Sequence, residues 1–263
     1  MRILITGHRG FIGSHALRAF RGKGHEVVGY DRKEGHDLSL GVWIDLLVGT
    51  APNVIVHLAS SCSTPGSVRD PLGTFRDTVV TATTVCEVAR ETGAVLLLTS
   101  SVKARDGKTP YGAAKHMAET WAIEMGKAFS FPVIVDRPGT IYGPGQEGSE
   151  ESGWIAWFLK AQKDGLEVII DGDGGQMRDL LHVGDYVELL LLQAEDPRPY
   201  LGHIWDVGGG EDNVVTVREM ADFLRLDYTF GPPRYGDARA YVGVNDVPGW
   251  RPTILWLESG MFG

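Results

Sequence analysis

Cysteine is nearly missing from this chain: Cys62 and Cys86 are the only two among 263 residues. Two are too few for a disulfide scaffold, and they lack the spacing of a thiolate metal site, which fits a reducing, cytoplasmic setting. No apolar run approaches the roughly 18 residues of a membrane-spanning helix, so no membrane association is expected. The opening Met1-Arg2-Ile3-Leu4-Ile5-Thr6-Gly7 reads as a strand entering a turn, where a signal peptide would show a longer apolar region. Positive charge is in deficit, 25 Lys plus Arg against 34 Asp plus Glu for a net charge of -9. The surface as a whole therefore offers no footprint for nucleic acid, although a local basic pocket for a phosphorylated ligand is compatible with it. The eight histidines show no paired ligand spacing; His116 and His182 read as structural, and no metal is expected. The remaining balance, 43% apolar and 22% charged, is that of a folded globular chain long enough for a main domain with a smaller lobe.

Short apolar runs alternate with amphipathic stretches through the first half. Strands are predicted at Arg2–Ile5, Glu26–Tyr30, Val54–Leu58, Val95–Thr99 and Pro132–Arg137, and helices at Phe11–Lys23, Leu40–Val48, Pro71–Thr92 and Tyr111–Phe129. Buried strands alternating with helices imply a parallel sheet covered on both faces. Right-handed crossovers make that an α/β, doubly wound fold. After Tyr142 the texture changes to Gly-rich and acidic turns, a tryptophan-bearing helix at Gly153–Lys163 and scattered short strands. The expected division is a dinucleotide-binding domain over residues 1–142. Residues 143–263 should form mainly a small C-terminal lobe, interleaved with the last elements of the sheet.

Strand one runs into Gly7-His8-Arg9-Gly10-Phe11-Ile12-Gly13, three glycines spaced three apart at a strand-to-helix junction. Without Cβ atoms the backbone can turn tightly and approach a pyrophosphate, whose charge meets the free N–H groups and positive dipole end of the helix. Strand two then ends at Tyr30-Asp31, where an acidic side chain would accept hydrogen bonds from the adenosine ribose hydroxyls. Asp31 would repel a 2′-phosphate and so favours NAD. Arg9, Arg32 and Lys33 stand close enough in sequence to neutralise one, which leaves NADP as the alternative.

Strand four ends Leu98-Thr99-Ser100-Ser101, and Tyr111-Gly112-Ala113-Ala114-Lys115 opens the next helix. The i, i+4 spacing puts Tyr111 and Lys115 on one face. A neighbouring ammonium and a positive nicotinamide would favour the phenolate, which could take a proton from a sugar hydroxyl, with Ser101 bonded to the same oxygen and Lys115 also on the nicotinamide ribose. Aromatic residues at helical spacing, Trp154, Trp157 and Phe158, read as core rather than site.

With these residues in place the chain resembles the extended short-chain dehydrogenase/reductase family, the NAD-dependent epimerases and dehydratases that act on nucleotide sugars. The resemblance runs through nearly the whole length. It includes Asp37-Leu38, His57-Leu58-Ala59-Ser60, Ser67-Val68-Arg69-Asp70-Pro71 and Arg137–Pro144, then Asp171–Gly174, Arg178–Asp185, Arg234–Asp237 and Gly249–Pro252. It implies a Rossmann domain with Asp37, Leu38, Leu58, Ala59 and Ser60 beside the cofactor, and a nucleotide-sugar substrate met by Thr140, Arg178, Arg234 and Asp237. In that picture the two arginines clamp the diphosphate and Asp237 touches the nucleoside. It also implies a homodimer built through the helices around Thr78–Thr92 and Tyr111–Phe129; Val85, Val88, Met117 and Trp121 give those helices an apolar face, for which burial against the chain's own sheet is the competing explanation.

The chain departs from the family in three ways. The loop Val102–Pro110 is shortened and carries Lys103, Arg105 and Lys108, which suggests a more open site or a more acidic sugar. Thr78 and Thr140 replace two asparagines, and the whole chain is short. A 4-epimerase that oxidises the sugar transiently is the leading expectation. The family's dehydratases carry Asp-Glu where Val102-Lys103 stands, which argues against dehydration. An NADP-dependent keto-sugar reductase, suggested by His8-Arg9-Gly10, and a dinucleotide-binding sensor without turnover remain as alternatives.

Overall fold

A computed structural model describes residues 1–243 and 245–258. The first half alternates as the periodicity predicts: β1 (Arg2–Thr6), α1 (Phe11–Gly22), β2 (Glu26–Tyr30), α2 (Ile44–Gly49), β3 (Val54–His57), α3 (Thr64–Arg69), α4 (Pro71–Phe75), α5 (Thr81–Thr92), β4 (Val95–Thr99), α6 (Pro110–Phe129) and β5 (Val133–Pro138). Beyond it come β6 (Thr140–Tyr142), α7 (Trp154–Asp164), β7 (Val168–Asp171), β8 (Met177–His182), α8 (Val183–Glu195), β9 (Ile204–Val207), β10 (Val214–Thr216), α9 (Val217–Phe223), β11 (Tyr228–Gly231) and β12 (Ala240–Tyr241).

Six parallel strands form the main sheet in the order β2-β1-β3-β4-β5-β9. It is the doubly wound Rossmann arrangement, and the strand order reverses between β1 and β3, where such folds open a crevice at the carboxyl ends of the strands. Successive side chains of a strand point to opposite sides, and in β1, β3, β4 and β5 both sides are buried. Ile3, Ile5, Val56 and Leu97 pack with Phe20 of α1 and Leu189 and Leu190 of α8. Leu4, Ile55, Leu96 and Leu98 pack with Val85 and Val88 of α5 and Ala118 and Ala122 of α6. Two smaller sheets gather the later strands: β8 pairs with β6, β10 and β12, and β7 pairs with β11. Tyr142, Ile155, Phe158 and Leu180 anchor their separate core.

Three expectations change. The helix predicted over Pro71–Thr92 is interrupted by a π-helical turn at Arg76–Val80, where Thr81 Oγ1 donates to the Asp77 carbonyl at 2.8 Å and Thr83 Oγ1 to that of Val79 at 3.0 Å. Such back-bonding competes with the helical ladder, and π turns of this kind recur beside functional sites. The helix predicted over Leu40–Val48 splits into a 3-10 turn at Leu38–Leu40 and α2, because Gly41 adopts φ 69. Val85 and Val88, expected on an outward dimer face, are fully buried against the sheet, whereas Met117 and Trp121 are 42% and 46% exposed. Among the described residues no helix is long and apolar enough to cross a membrane.

Candidate active site

The glycine loop is shaped by close approach. Gly7 has φ +71, and a Cβ there would stand 2.9 Å from the Ala59 nitrogen, while one on Gly13 would lie 2.1 Å from the Gly7 carbonyl oxygen. The loop closes on itself through Gly10 N–H to Gly7 O at 2.9 Å. No side chain caps α1, so its first N–H groups are left for a ligand. Gly7 and Gly10 border two adjoining cavities of about 420 and 410 Å³. One runs past Tyr30, Asp31, Leu38, Leu58, Ala59 and Ser60; the other takes in Phe11, Ile12, Gly13, Ser101, Tyr111, Lys115 and Thr140.

At the first cavity Asp31 accepts the backbone N–H groups of Arg9 and Lys33, each at 2.9 Å. The carboxylate thereby ties the glycine loop to the end of β2 and keeps lone pairs toward the cavity. Of the three cations that could serve a 2′-phosphate, Lys33 lines the cavity with its Nζ at only 3.5 Å from the Arg9 carbonyl, and the two arginines are paired with carboxylates. Arg9 pairs with Glu34 at 3.0 Å, and Arg32 pairs with Asp77 at 2.5 Å and Asp37 at 3.7 Å. Asp37 lies outside this cavity's lining: its carboxylate accepts from Ser39 N and Oγ at 3.0 and 2.7 Å, and those bonds hold it below the usual carboxylate range. Asp77, Thr81 and His36 do line it. Nothing in a linear motif marks them, because the π turn sets the position of Asp77.

At the second cavity Thr109 caps α6 by accepting the Gly112 N–H at 3.1 Å, and Pro110 occupies the first turn. A Cβ on Gly112 would meet the Lys103 carbonyl oxygen at 2.5 Å, so glycine lets the short loop lie directly on the helix start. Tyr111 is thereby set against Ser101, the extended residue two positions beyond β4. Burial pushes the Tyr111 phenol up to about 12, and a hydrogen bond with Ser101 opposes the shift. Lys115 is buried, and its Nζ donates to Ser60 Oγ at 2.7 Å and to the Thr99 carbonyl at 2.9 Å. Desolvation brings it down to about 8. Before any ligand binds, then, the ammonium holds β3's exit loop to β4, and the tyrosine remains neutral.

Thr78, at one of the two replaced asparagine positions, is buried in the π turn, and its hydroxyl has no partner among the described residues. Trp154, read from sequence as core, lines the cavity together with Cys62, Thr64 and Lys103; Phe158 is indeed buried. Arg178, Arg234 and Asp237 lie outside this lining. Arg178 donates to Asp237 at 2.5 Å and covers the Tyr241 ring at 4.9 Å, and Arg234 is paired with Asp171. Asp237 thus faces an arginine of the chain itself.

A doubly wound sheet with an uncapped glycine-rich helix start and an acidic residue closing β2 defines a dinucleotide-dependent protein. The chain belongs to the NAD dependent epimerase/dehydratase family, whose model matches residues 3–208. Among curated relatives, a UDP-glucose 4-epimerase of Mycolicibacterium smegmatis is 28% identical, with 98% of this chain and 96% of the relative covered. A CDP-paratose 2-epimerase of Salmonella typhi is 23% identical, covering 97% and 95%. The crystal structure of a Thermus thermophilus UDP-glucose 4-epimerase in complex with NAD superposes with a TM-score of 0.89 at 28% identity, covering 98% and 96%. NAD is the cofactor, and the glycine cradle, the exposed helix start and Asp31 fit it.

Proposed function

We propose that the protein is an NAD-dependent epimerase of a nucleotide sugar, acting at C4 through a transient 4-keto intermediate. The observation that carries this reading is the placement of Ser101, Tyr111 and Lys115 on the same cavity as the glycine loop. Bound NAD supplies a two-electron acceptor and donor whose oxidised ring is positively charged. Tyr111 removes the proton from the C4 hydroxyl and later returns it, and Ser101 holds the same oxygen through both half-reactions. Lys115 keeps positive charge beside the phenolate and a donor for the nicotinamide ribose. The keto sugar turns over within the cavity before it is reduced on its other face. Dehydration would need an added acid and base for loss of water, and Val102 and Lys103 bring no carboxylate beside Ser101. A Met117 and Trp121 face, extended by Leu72 and Phe75 of the neighbouring α4, supports a homodimer.

The test is conversion of UDP-, dTDP- and GDP-hexoses and of UDP-glucuronate by NAD-loaded protein, followed by NMR with deuterium at C4. Epimer formation with the label retained is expected, because the hydrogen returns from the same site. Loss of the label to water, or no conversion of any of these nucleotide sugars, would remove the reading.

A further inference from the structure

Lys103 lies two residues beyond Ser101, in the 3-10 turn Val102–Ala104, and its backbone N–H donates to the Ser101 hydroxyl at 3.3 Å. Its Nζ donates to Thr64 Oγ1 at 2.7 Å and stands 5.5 Å from the centre of the Tyr241 ring. Arg178 covers the same ring, and Arg234 is near enough to repel the ammonium. Three cations therefore gather beside the reaction cavity. Two have counter-ions: Arg178 is paired with Asp237, and Arg234 with Asp171. Lys103 forms no ion pair among the described residues, and Asp237 and Asp106 attract it only from a distance. A hydroxyl and an aromatic ring solvate an ammonium without cancelling its charge. Burial together with the two arginines brings Lys103 down to about 8, so at neutral pH most of it is still charged.

A largely desolvated cation without a counter-ion is unfavourable unless a ligand brings one. Position says where on the ligand that anion sits. Lys103 and Thr64 line the same cavity as Ser101 and Tyr111, whereas Arg178 and Arg234 do not. The missing negative charge therefore lies on the part of the ligand that undergoes reaction. Resting on the nucleotide-sugar reading above, we propose that Lys103, seconded by the Thr64 hydroxyl, recognises a carboxylate on the sugar ring, so that the substrate is a nucleotide-linked uronic acid.

Calorimetry on NAD-loaded protein tests this with UDP, UDP-glucose and UDP-glucuronate, and with dTDP and dTDP-glucose as controls for the base. A charge-assisted hydrogen bond predicts that glucuronate binds roughly 10- to 100-fold more tightly than glucose on the same nucleotide. Lys103→Met should bring that ratio close to one while leaving the affinities for UDP and UDP-glucose within about threefold. Lys103→Arg, which keeps the charge, should retain part of the preference and guards against a folding defect in the first variant. Equal binding of glucose and glucuronate by the unmodified protein would overturn the proposal. So would a Lys103→Met variant that weakens UDP, UDP-glucose and UDP-glucuronate alike, because Lys103 would then grip the diphosphate. If none of the five ligands binds, the nucleotide-sugar reading itself fails and this inference falls with it.

Discussion

Tyr111 is the most exacting test of the proposed chemistry, because the ligand-free site holds it in the wrong protonation state. An unperturbed tyrosine ionises near pH 10, so about 0.3% is phenolate at pH 7.5. Burial raises Tyr111 to about 12, which lowers that fraction about a hundredfold further. Lys115 is not among the groups that shift it in the ligand-free site, where the ammonium is held on Ser60 Oγ and the Thr99 carbonyl. Ionisation must therefore be coupled to ligand binding, when positive charge enters the cavity. The sign for activity follows: the reactive form is the deprotonated one, so turnover should rise about tenfold per pH unit through the neutral range. It should then level or fall as Lys115, down at about 8, loses its charge and stops supporting the phenolate. Tyr111→Phe should lower turnover by about 10²–10⁴-fold and flatten the rising limb, with NAD affinity nearly unchanged. Lys115→Met should lower turnover further and weaken NAD as well, because the ribose donor is lost with the charge. The assay is epimer formation by NMR from pH 6 to 9, with NAD affinity measured separately. A Tyr111→Phe variant within a factor of a few of the parent, or one with the parent's pH profile, would show that the proton moves through another group.

Asp31→Ala should narrow the preference for NAD over NADP in calorimetry, and tighter binding of NADP by the unmodified protein would mean that Arg9 and Arg32 leave their carboxylates for a 2′-phosphate. Asp136 is buried beneath the active-site strands and pushed up to about 7 by desolvation, against hydrogen bonds from Gln193 at 2.8 Å and from Tyr186. Its folded pKa exceeds the ordinary value, so its ionised form destabilises the fold fully above pH 7, and the penalty fades as pH falls toward 4. Asp136→Asn should thus raise the melting temperature at pH 8 by several degrees, from at most about 4 kcal/mol, and have little effect near pH 4; a lower melting temperature at pH 8 would contradict this. Light scattering at micromolar concentration should give a dimer mass that Trp121→Glu converts to a monomer, and a monomeric parent would exclude the Met117 and Trp121 interface.

What could be read from sequence, and what could not, divides along the range of the interactions. The strands β1 to β5 were legible to within about a residue because each is a short apolar run bounded by turn residues, and the glycine loop because its geometry is local. Ser101, Tyr111 and Lys115 fall together since a strand end and the adjacent helix start are neighbours in any doubly wound sheet. Spacing placed Tyr111 and Lys115 on one face, but it could not show that the lysine reaches past the tyrosine to Ser60 and Thr99. The dimer face was left with two explanations for a similar reason: Val85 and Val88 have the period of a buried stripe, and periodicity does not say whether the sheet or a second copy covers it. The later strands, two to six residues long, carry too little pattern to be found alone. Their side chains also take partners far away in sequence, as Arg178 does with Asp237 and Arg234 with Asp171.

Those distant pairs give the shortened loop its meaning. In sequence Lys103 is one of three basic residues in a truncated segment, and nothing distinguishes it from Arg105 or Lys108. In the structure Arg105 reaches Asp206 at 2.7 Å and Lys108 reaches Asp106 at 3.3 Å, on the outside of the loop. Lys103 alone of the three turns inward, to Thr64 and Tyr241. The loop lies on the helix start because Gly112 leaves room for the Lys103 carbonyl, so the same contact that sets Tyr111 against Ser101 also fixes the ammonium on the cavity that holds both. Shortening the loop thus does more than open the site, for it exchanges a covering segment for a fixed positive charge. A substrate able to use that charge should gain in affinity, and a neutral hexose should not.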